Sequence, residues 1–266
     1  MSKNYMLILL SVLCTSCSLF RNDEEPVIRF ETTQGNIEVK LYSETSKHRD
    51  NFVKLVESGY YDGLLFHRVI QDFMIQAGDP DSKTAKPGQS LGSGDAPYTI
   101  PAEIVYPKYY HKRGALGAAR EGDDINPQRA SSGGQFYIVK GHKFTEEQLD
   151  TLEVRRERKA VARLFQDELT KRKNLKENDQ PDVLKDSILK AVKIFVKNHP
   201  TYYKFTSQQR EDYTTIGGTP HLDGEYTVFG EVLDGFDVIN RISAAKTDKM
   251  DRPLRDIRII KATRIQ

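Results

Sequence analysis

From Val27 to Tyr42 the chain alternates apolar and polar residues about Gln34-Gly35-Asn36, with Ile28 and Phe30 before the turn and Ile37, Val39 and Leu41 after it. A period of two sends one set of side chains to a core, so the segment predicts a β-hairpin. Over residues 45–58 the period lengthens: Phe52, Leu55 and Val56 fall on one helical face, and Gly59 marks the end. Strand-like runs follow at 64–70, 73–77, 114–119, 135–140, 226–233 and 257–263, with a short helix at 236–242. Residues 78–101, rich in Gly, Pro, Ser and Asp, predict a long surface loop. Many short strands with two helices predict a mainly β fold, a closed antiparallel β-barrel, because closure removes exposed sheet edges.

Residues 141–214 break this pattern and predict a helical insertion in a barrel domain spanning 27–266. A capping box, Thr145-x-x-Gln148, precedes a long helix carrying Leu149, Leu152, Val161, Leu164, Phe165 and Leu169. After a polar turn at 174–181, Leu184, Ile188, Ala191, Val192 and Phe195 form the stripe of a second helix. The simplest expectation is a helical hairpin packed on the barrel through that stripe. The alternative is an added surface for unfolded or partner proteins, suggested by the insertion's size and its position just before the HLDG segment at 221–224.

The N-terminus reads as an address. Lys3 precedes an apolar run over 5–13, too short for a membrane span of about 20 residues, and Cys14-Thr15-Ser16-Cys17 follows. This layout predicts a signal peptide over 1–16 and a polar tether over 17–26. The small residue before Cys17 resembles the bacterial lipobox, although Cys14 stands where that motif usually carries Leu or another aliphatic residue. The resemblance implies an exported chain, lipidated at Cys17 and held to a bacterial envelope membrane.

Composition narrows the chemistry. With 40 Lys and Arg against 38 Asp and Glu, the net charge of +2 provides no field to draw nucleic acid, which is not an expected partner. The insertion is net positive and the remainder slightly negative. Both cysteines lie in the N-terminal 20 residues, so the folded part can use neither a disulfide nor thiolate ligands. The six histidines show no HExxH spacing, and Gly88–Gly94 lacks the Lys-Ser/Thr of a phosphate loop and reads as a flexible turn.

The segment Phe66 to Asp79 (FHRVIQDFMIQAGD) interleaves a cation and an amide with apolar residues on strands. Alternation places Arg68 with Ile70 and Met74 with Gln76. Such a groove suits a peptide, apolar atoms holding a side chain and polar ends its backbone. By composition alone, a surface arginine over a core accounts for the segment at least as well.

FHRVI…FMIQAGD, GALGAAR at 114–120, GGQFYI at 133–138 and HLDGEYTVFGEV at 221–232 occur in one order, and together they resemble the cyclophilin family of peptidyl-prolyl cis-trans isomerases. The resemblance implies an eight-stranded antiparallel β-barrel capped by two helices, with proline-containing peptide segments as partners. It implies Arg68 as the catalytic arginine and Phe73, Met74, Tyr137 and Leu222 as the proline pocket. Gln76 and Gln135 would hold the peptide, and Ala119 and Arg120 would present backbone groups to the residue before the proline. Tyr226 takes a position where the family has His or Tyr, and Tyr137 replaces the more usual Phe. His221 stands where many members have Trp, which implies weakened inhibition by cyclosporin. His67, beside Arg68, is expected to be structural. The implied reaction needs no cofactor or metal, since it breaks no bond to carbon. A non-catalytic lipoprotein or chaperone that binds proline peptides is the rival reading.

Overall fold

The computed structural model describes residues 25–174 and 181–266. The expected signal peptide, Cys17 and most of the tether lie outside them. β1 (Val27–Thr32) and β2 (Gly35–Leu41) form the expected hairpin. Thr32 faces Gly35, so the connecting residues are Thr33-Gln34, one position earlier than the alternation suggests. Gly35 has φ +122°, and a Cβ there would lie 2.9 Å from Val238 Cγ2, so both conformation and space require glycine.

Next come α1 (Ser46–Glu57), β3 (Arg68–Ile70) and β4 (Met74–Ala77). The expected loop over 78–101 contains a 3-10 turn at Pro80–Thr84, started by the Asp79 side chain accepting from Asp81 N–H, and ends in β5 (Thr99–Ile100). β6 (Ala115–Ala118), β7 (Ser131–Ser132) and β8 (Phe136–Val139) follow, with β7 paired to β5. The insertion provides α2 (Glu146–Asn174), α3 (Pro181–Asn198) and α4 (Ser207–Thr215). β9 (Val228–Asp234), α5 (Phe236–Ser243) and β10 (Ile259–Arg264) complete the chain.

The main sheet runs β10-β1-β2-β9-β6-β8-β4-β3, with every neighbouring pair antiparallel. The fold is therefore mainly β with eight strands as expected, but the expected closed barrel is corrected to a curled, open half-barrel. β3 and β10 remain edges because what faces the start of β10 is the segment before β3. That segment makes one bridge, Leu65 to Arg258, supported by Phe66 N–H donating to Ile257 O (2.9 Å) and Ile259 N–H to Leu64 O (2.8 Å).

Inside the curl, Ile28, Phe30, Ile37, Val39, Ile75 and Ile138 are fully buried, as the alternation requires. α1 adds Phe52, Leu55 and Val56 to this core, and α5 adds Val238, Ile239 and Ile242. The Phe136 ring stacks on Phe30 at 5.4 Å and meets Phe52 edge-on at 5.3 Å.

The insertion differs from a simple hairpin. Its Thr145/Gln148 capping box forms as expected, with Gln148 N–H donating to the Thr145 hydroxyl and Thr145 N–H to the Gln148 amide oxygen. The α3 stripe packs on α2, not on the sheet: Ile188, Val192 and Val196 meet Ala160, Leu164 and Phe165. Ala191 and Phe195 are corrected from stripe to surface, Phe195 at 41% exposure, because burial at 188, 192 and 196 keeps a strict four-residue step that both positions leave. Leu184 lies where side chains are not described. The unanticipated α4 anchors the insertion: Tyr213 and Leu149 are fully buried with Phe205, against Tyr110 and Phe144. Buried Glu153 ties the base together, accepting from Lys204 (2.6 Å), Arg210 (3.0 Å) and Phe205 N–H (3.0 Å).

Candidate active site

Antiparallel register builds the site directly. Arg68 on β3 faces Gln76 on β4, Gln76 faces Tyr137 on β8, and Tyr137 faces Gly117 on β6. Residues directly opposite share a face, so one row of side chains crosses the outer face of the half-barrel. The next row, Val69, Ile75, Ile138 and Leu116, points into the core. The strand alternation that fills the core therefore also assembles the site.

Arg68, Phe73, Met74, Gln76, Ala119, Arg120, Tyr137, Leu222 and Tyr226 line one depression of about 160 Å³. Its floor is apolar, with Met74 and Tyr137 buried and Phe73, Leu222 and Tyr226 half-buried against them. Arg68 stands at one side, held at both ends of its guanidinium. Nε lies 3.4 Å from Asp251 and Nη1 donates to Gln76 Oε1 at 3.4 Å. Both contacts are long, leaving the remaining donors free to meet a substrate.

Gln135 acts as a brace within the site. Its side chain is only 8% exposed. Its amide nitrogen donates to Gly92 O (3.0 Å) and Gly94 O (2.6 Å), and its oxygen accepts from Gln76 Nε2 (2.9 Å). That fixes the Gln76 amide with its oxygen toward Arg68. The 88–94 stretch, expected as a flexible turn, thus has a fixed role, with Gly92 N–H also donating to the Asp79 carboxylate at 2.5 Å.

Ala119 is bonded within the fold in the same way. Its N–H donates to Gln135 O and its carbonyl accepts from Ser132 N–H, so its main chain is already committed. The Arg120 side chain does more than expected. The guanidinium lies 4.3 Å over the Tyr226 ring, donates to Glu225 O, and pairs with Asp123 at 2.7 Å. Tyr226 in turn stands edge-on to Tyr137. His221 is outside the depression, exposed beside Phe73 with ring centroids 5.3 Å apart, and lines a neighbouring cleft.

Behind Tyr137 lies a network that sequence reasoning missed. The buried Asp223 carboxylate accepts from His111 N–H (2.9 Å), from His111 Nδ1–H (3.1 Å) and from the Tyr213 hydroxyl (2.6 Å). With Nδ1 donating to the carboxylate, His111 Nε2 presents a lone pair, which accepts the Tyr137 hydroxyl proton at 2.8 Å. Burial raises the pKa of the Tyr137 and Tyr213 phenols well above 10, so both remain protonated donors. The network runs from the pocket floor to α4. Its one sequence signal is an aspartate within the otherwise pocket-forming HLDG segment.

Gly117 is a second omission. A Cβ there would lie 2.3 Å from Tyr137 Cζ, so the tyrosine ring occupies the space a side chain would need. His67 is buried at 3% exposure, with both ring nitrogens unpartnered among the described residues, and burial lowers its pKa to about 4. A neutral, inward imidazole fits its expected structural role.

The family described as cyclophilin type peptidyl-prolyl cis-trans isomerase/CLD matches residues 27–162 and 196–264, leaving out 163–195 of the insertion. A Staphylococcus saprophyticus protein named for peptidyl-prolyl cis-trans isomerase activity is 30% identical over 240 residues, covering 90% of this chain and 91% of its own. A Staphylococcus aureus protein of that name is 29% identical over 229 residues, 85% of each chain. A crystal structure of a Cryptosporidium parvum cyclophilin type peptidyl-prolyl cis-trans isomerase covers 91% of this chain and 99% of its own, with TM-score 0.53 and 23% identity, a likeness of fold. The same protein in the presence of the dipeptide Ala-Pro gives TM-score 0.52. The chain belongs to the cyclophilin-type peptidyl-prolyl cis-trans isomerases.

Proposed function

We propose that the chain accelerates cis-trans isomerisation of X-Pro bonds, with Arg68 as its catalytic residue. The observation that carries this is the Arg68–Gln76–Gln135 relay standing over an apolar, proline-sized depression. Resonance gives the X-Pro amide a barrier of about 18–20 kcal/mol. In the twisted transition state the proline nitrogen loses conjugation and gains a lone pair. A guanidinium held beside it stabilises the twisted form more than the planar one. No nucleophile, metal or cofactor is required.

The other residues divide the remaining work. Phe73, Met74, Leu222 and Tyr137 hold the proline ring, while the Arg120 main chain anchors the residue before it and Gln76 the rest of the peptide. Arginine serves better than lysine because its fixed fork can meet Gln76, Asp251 and substrate together. Isomerisation of a proline peptide by the wild-type chain and by Arg68→Ala tests this assignment.

The address is part of the proposal. Residues 1–16 would be removed as a signal peptide, Cys17 lipidated, and 17–26 would tether the domain that begins at 27. The layout of Lys3, the apolar 5–13 run and Cys17 supports this, as does the family match beginning at Val27. In that setting the clients are exported proteins, whose folding the enzyme would assist. Labelling with radioactive palmitate that persists in Cys17→Ala would contradict the lipid anchor.

A further inference from the structure

Beside the proline depression, a cleft of about 390 Å³ opens between α2 and the 220–226 segment. One wall is the rim of the half-barrel, with Tyr106, His221, Asp223 and Glu225; the other is α2, presenting Arg156, Lys159 and Arg163. Steps of three and four residues put these three cations on one helical face. The cleft adjoins the catalytic depression through the 221–226 segment, whose Leu222 and Tyr226 line one and whose His221 and Glu225 line the other.

The cleft's own carboxylates are already taken. Asp223 accepts from His111 and Tyr213. Glu225 is paired with Arg129 at 2.5 Å and with Lys159 at 3.1 Å. On the cationic side, Arg156 stacks over Tyr106 and Phe205, donates to the Tyr106 hydroxyl and to Pro220 O and lies 3.9 Å from the Asp223 carboxylate, while its buried Nε has no hydrogen-bond partner among the described residues. Arg163 is exposed and has no ion pair or hydrogen bond among the described residues. Arg163 is therefore the cleft cation left without a negatively charged acceptor among the described residues.

We propose that this cleft is an extended subsite for acidic side chains of the client near its proline, making the insertion a determinant of substrate choice. The inference rests on the isomerase reading of the adjoining depression. Arg156, Lys159 and Arg163 all lie on α2, so the preference would be a property of the insertion and not of the sheet.

The test uses the full chain and ten-residue peptides with one central proline, carrying Glu or Lys at positions two to four residues before it or after it. Cis-trans exchange is followed by NMR, which needs no coupled protease. The expected result is a three- to fivefold higher kcat/KM for the Glu peptide over its Lys counterpart in at least one series, a size typical of partly exposed charge pairs. That ratio should collapse at high salt and invert in Arg163→Glu. Turnover of all peptides at charge-independent rates would overturn the subsite while leaving the isomerase reading intact. Absence of turnover with every peptide would overturn both.

Discussion

The hydroxyl of Tyr213 on α4 donates to the Asp223 carboxylate at 2.6 Å, joining the insertion to the segment that walls the proline depression. Asp223 also orients His111, and His111 holds the Tyr137 hydroxyl. The helices are thus tied to the catalytic face through buried hydrogen bonds. Tyr213→Phe should cost about 2 kcal/mol of stability, the worth of a buried hydrogen bond to a charged group. It should also lower kcat/KM two- to fivefold for neutral and charged peptides alike. Urea unfolding and the NMR exchange assay check the two halves, and unchanged values in both would remove the tie.

Tyr137 depends on what is missing beneath it. In Gly117→Ala the added methyl would meet the ring within 2.3 Å of Cζ, so the ring must leave its place. Activity should fall about tenfold or more, as expected when a binding wall shifts by about an ångström, while far-UV circular dichroism stays native. Full activity would show that the ring position is not needed.

Acid stability should depend on His67. Its folded pKa is depressed to about 4, against about 6.5 in an unfolded chain. Between those values the unfolded state binds a proton that the folded state does not, so stability rises with pH across this window. The contribution is complete above about pH 6.5 and is lost as pH falls toward 4, amounting to about 3 kcal/mol. Since burial is the main cause of the shift and neither ring nitrogen has a hydrogen-bond partner among the described residues, His67→Phe should flatten this dependence. Parallel slopes for wild type and variant between pH 4.5 and 7 would contradict it.

His221 places a small polar ring beside Phe73, where the motif resemblance implies a larger one in many cyclophilins. Cyclosporin should inhibit weakly, and His221→Trp should tighten inhibition about tenfold or more through added apolar contact and an indole donor. Nanomolar inhibition of the wild type would refute the first half.

Much of this arrangement could be read from the chain, for a physical reason. Period-two alternation both fills the core and places Arg68, Gln76 and Tyr137 in one outer row, so strand assignment locates the site. Features set by long-range contact were invisible. The committed roles of Gln135 and Ala119 come from partners at Gly92, Gly94 and Ser132, and nothing local to either residue announces them. α4 escaped detection because Ser207–Thr215 is polar except at Tyr213, so no apolar period marks it. Its capping box at Thr206 and Gln209 was the available signal. Barrel closure failed because it depends on whether two edges share a ladder, which the pattern of either edge does not record.

The central claim is that Arg68 stabilises the twisted X-Pro bond. Its most direct test is cis-trans exchange of a short neutral proline peptide, measured with wild type and with Arg68→Ala shown to be folded by circular dichroism. Wild type should accelerate exchange, and the variant should lose on the order of 10² in kcat/KM, the effect of removing one preorganised donor from a transition state. Equal turnover by the two proteins would contradict the account.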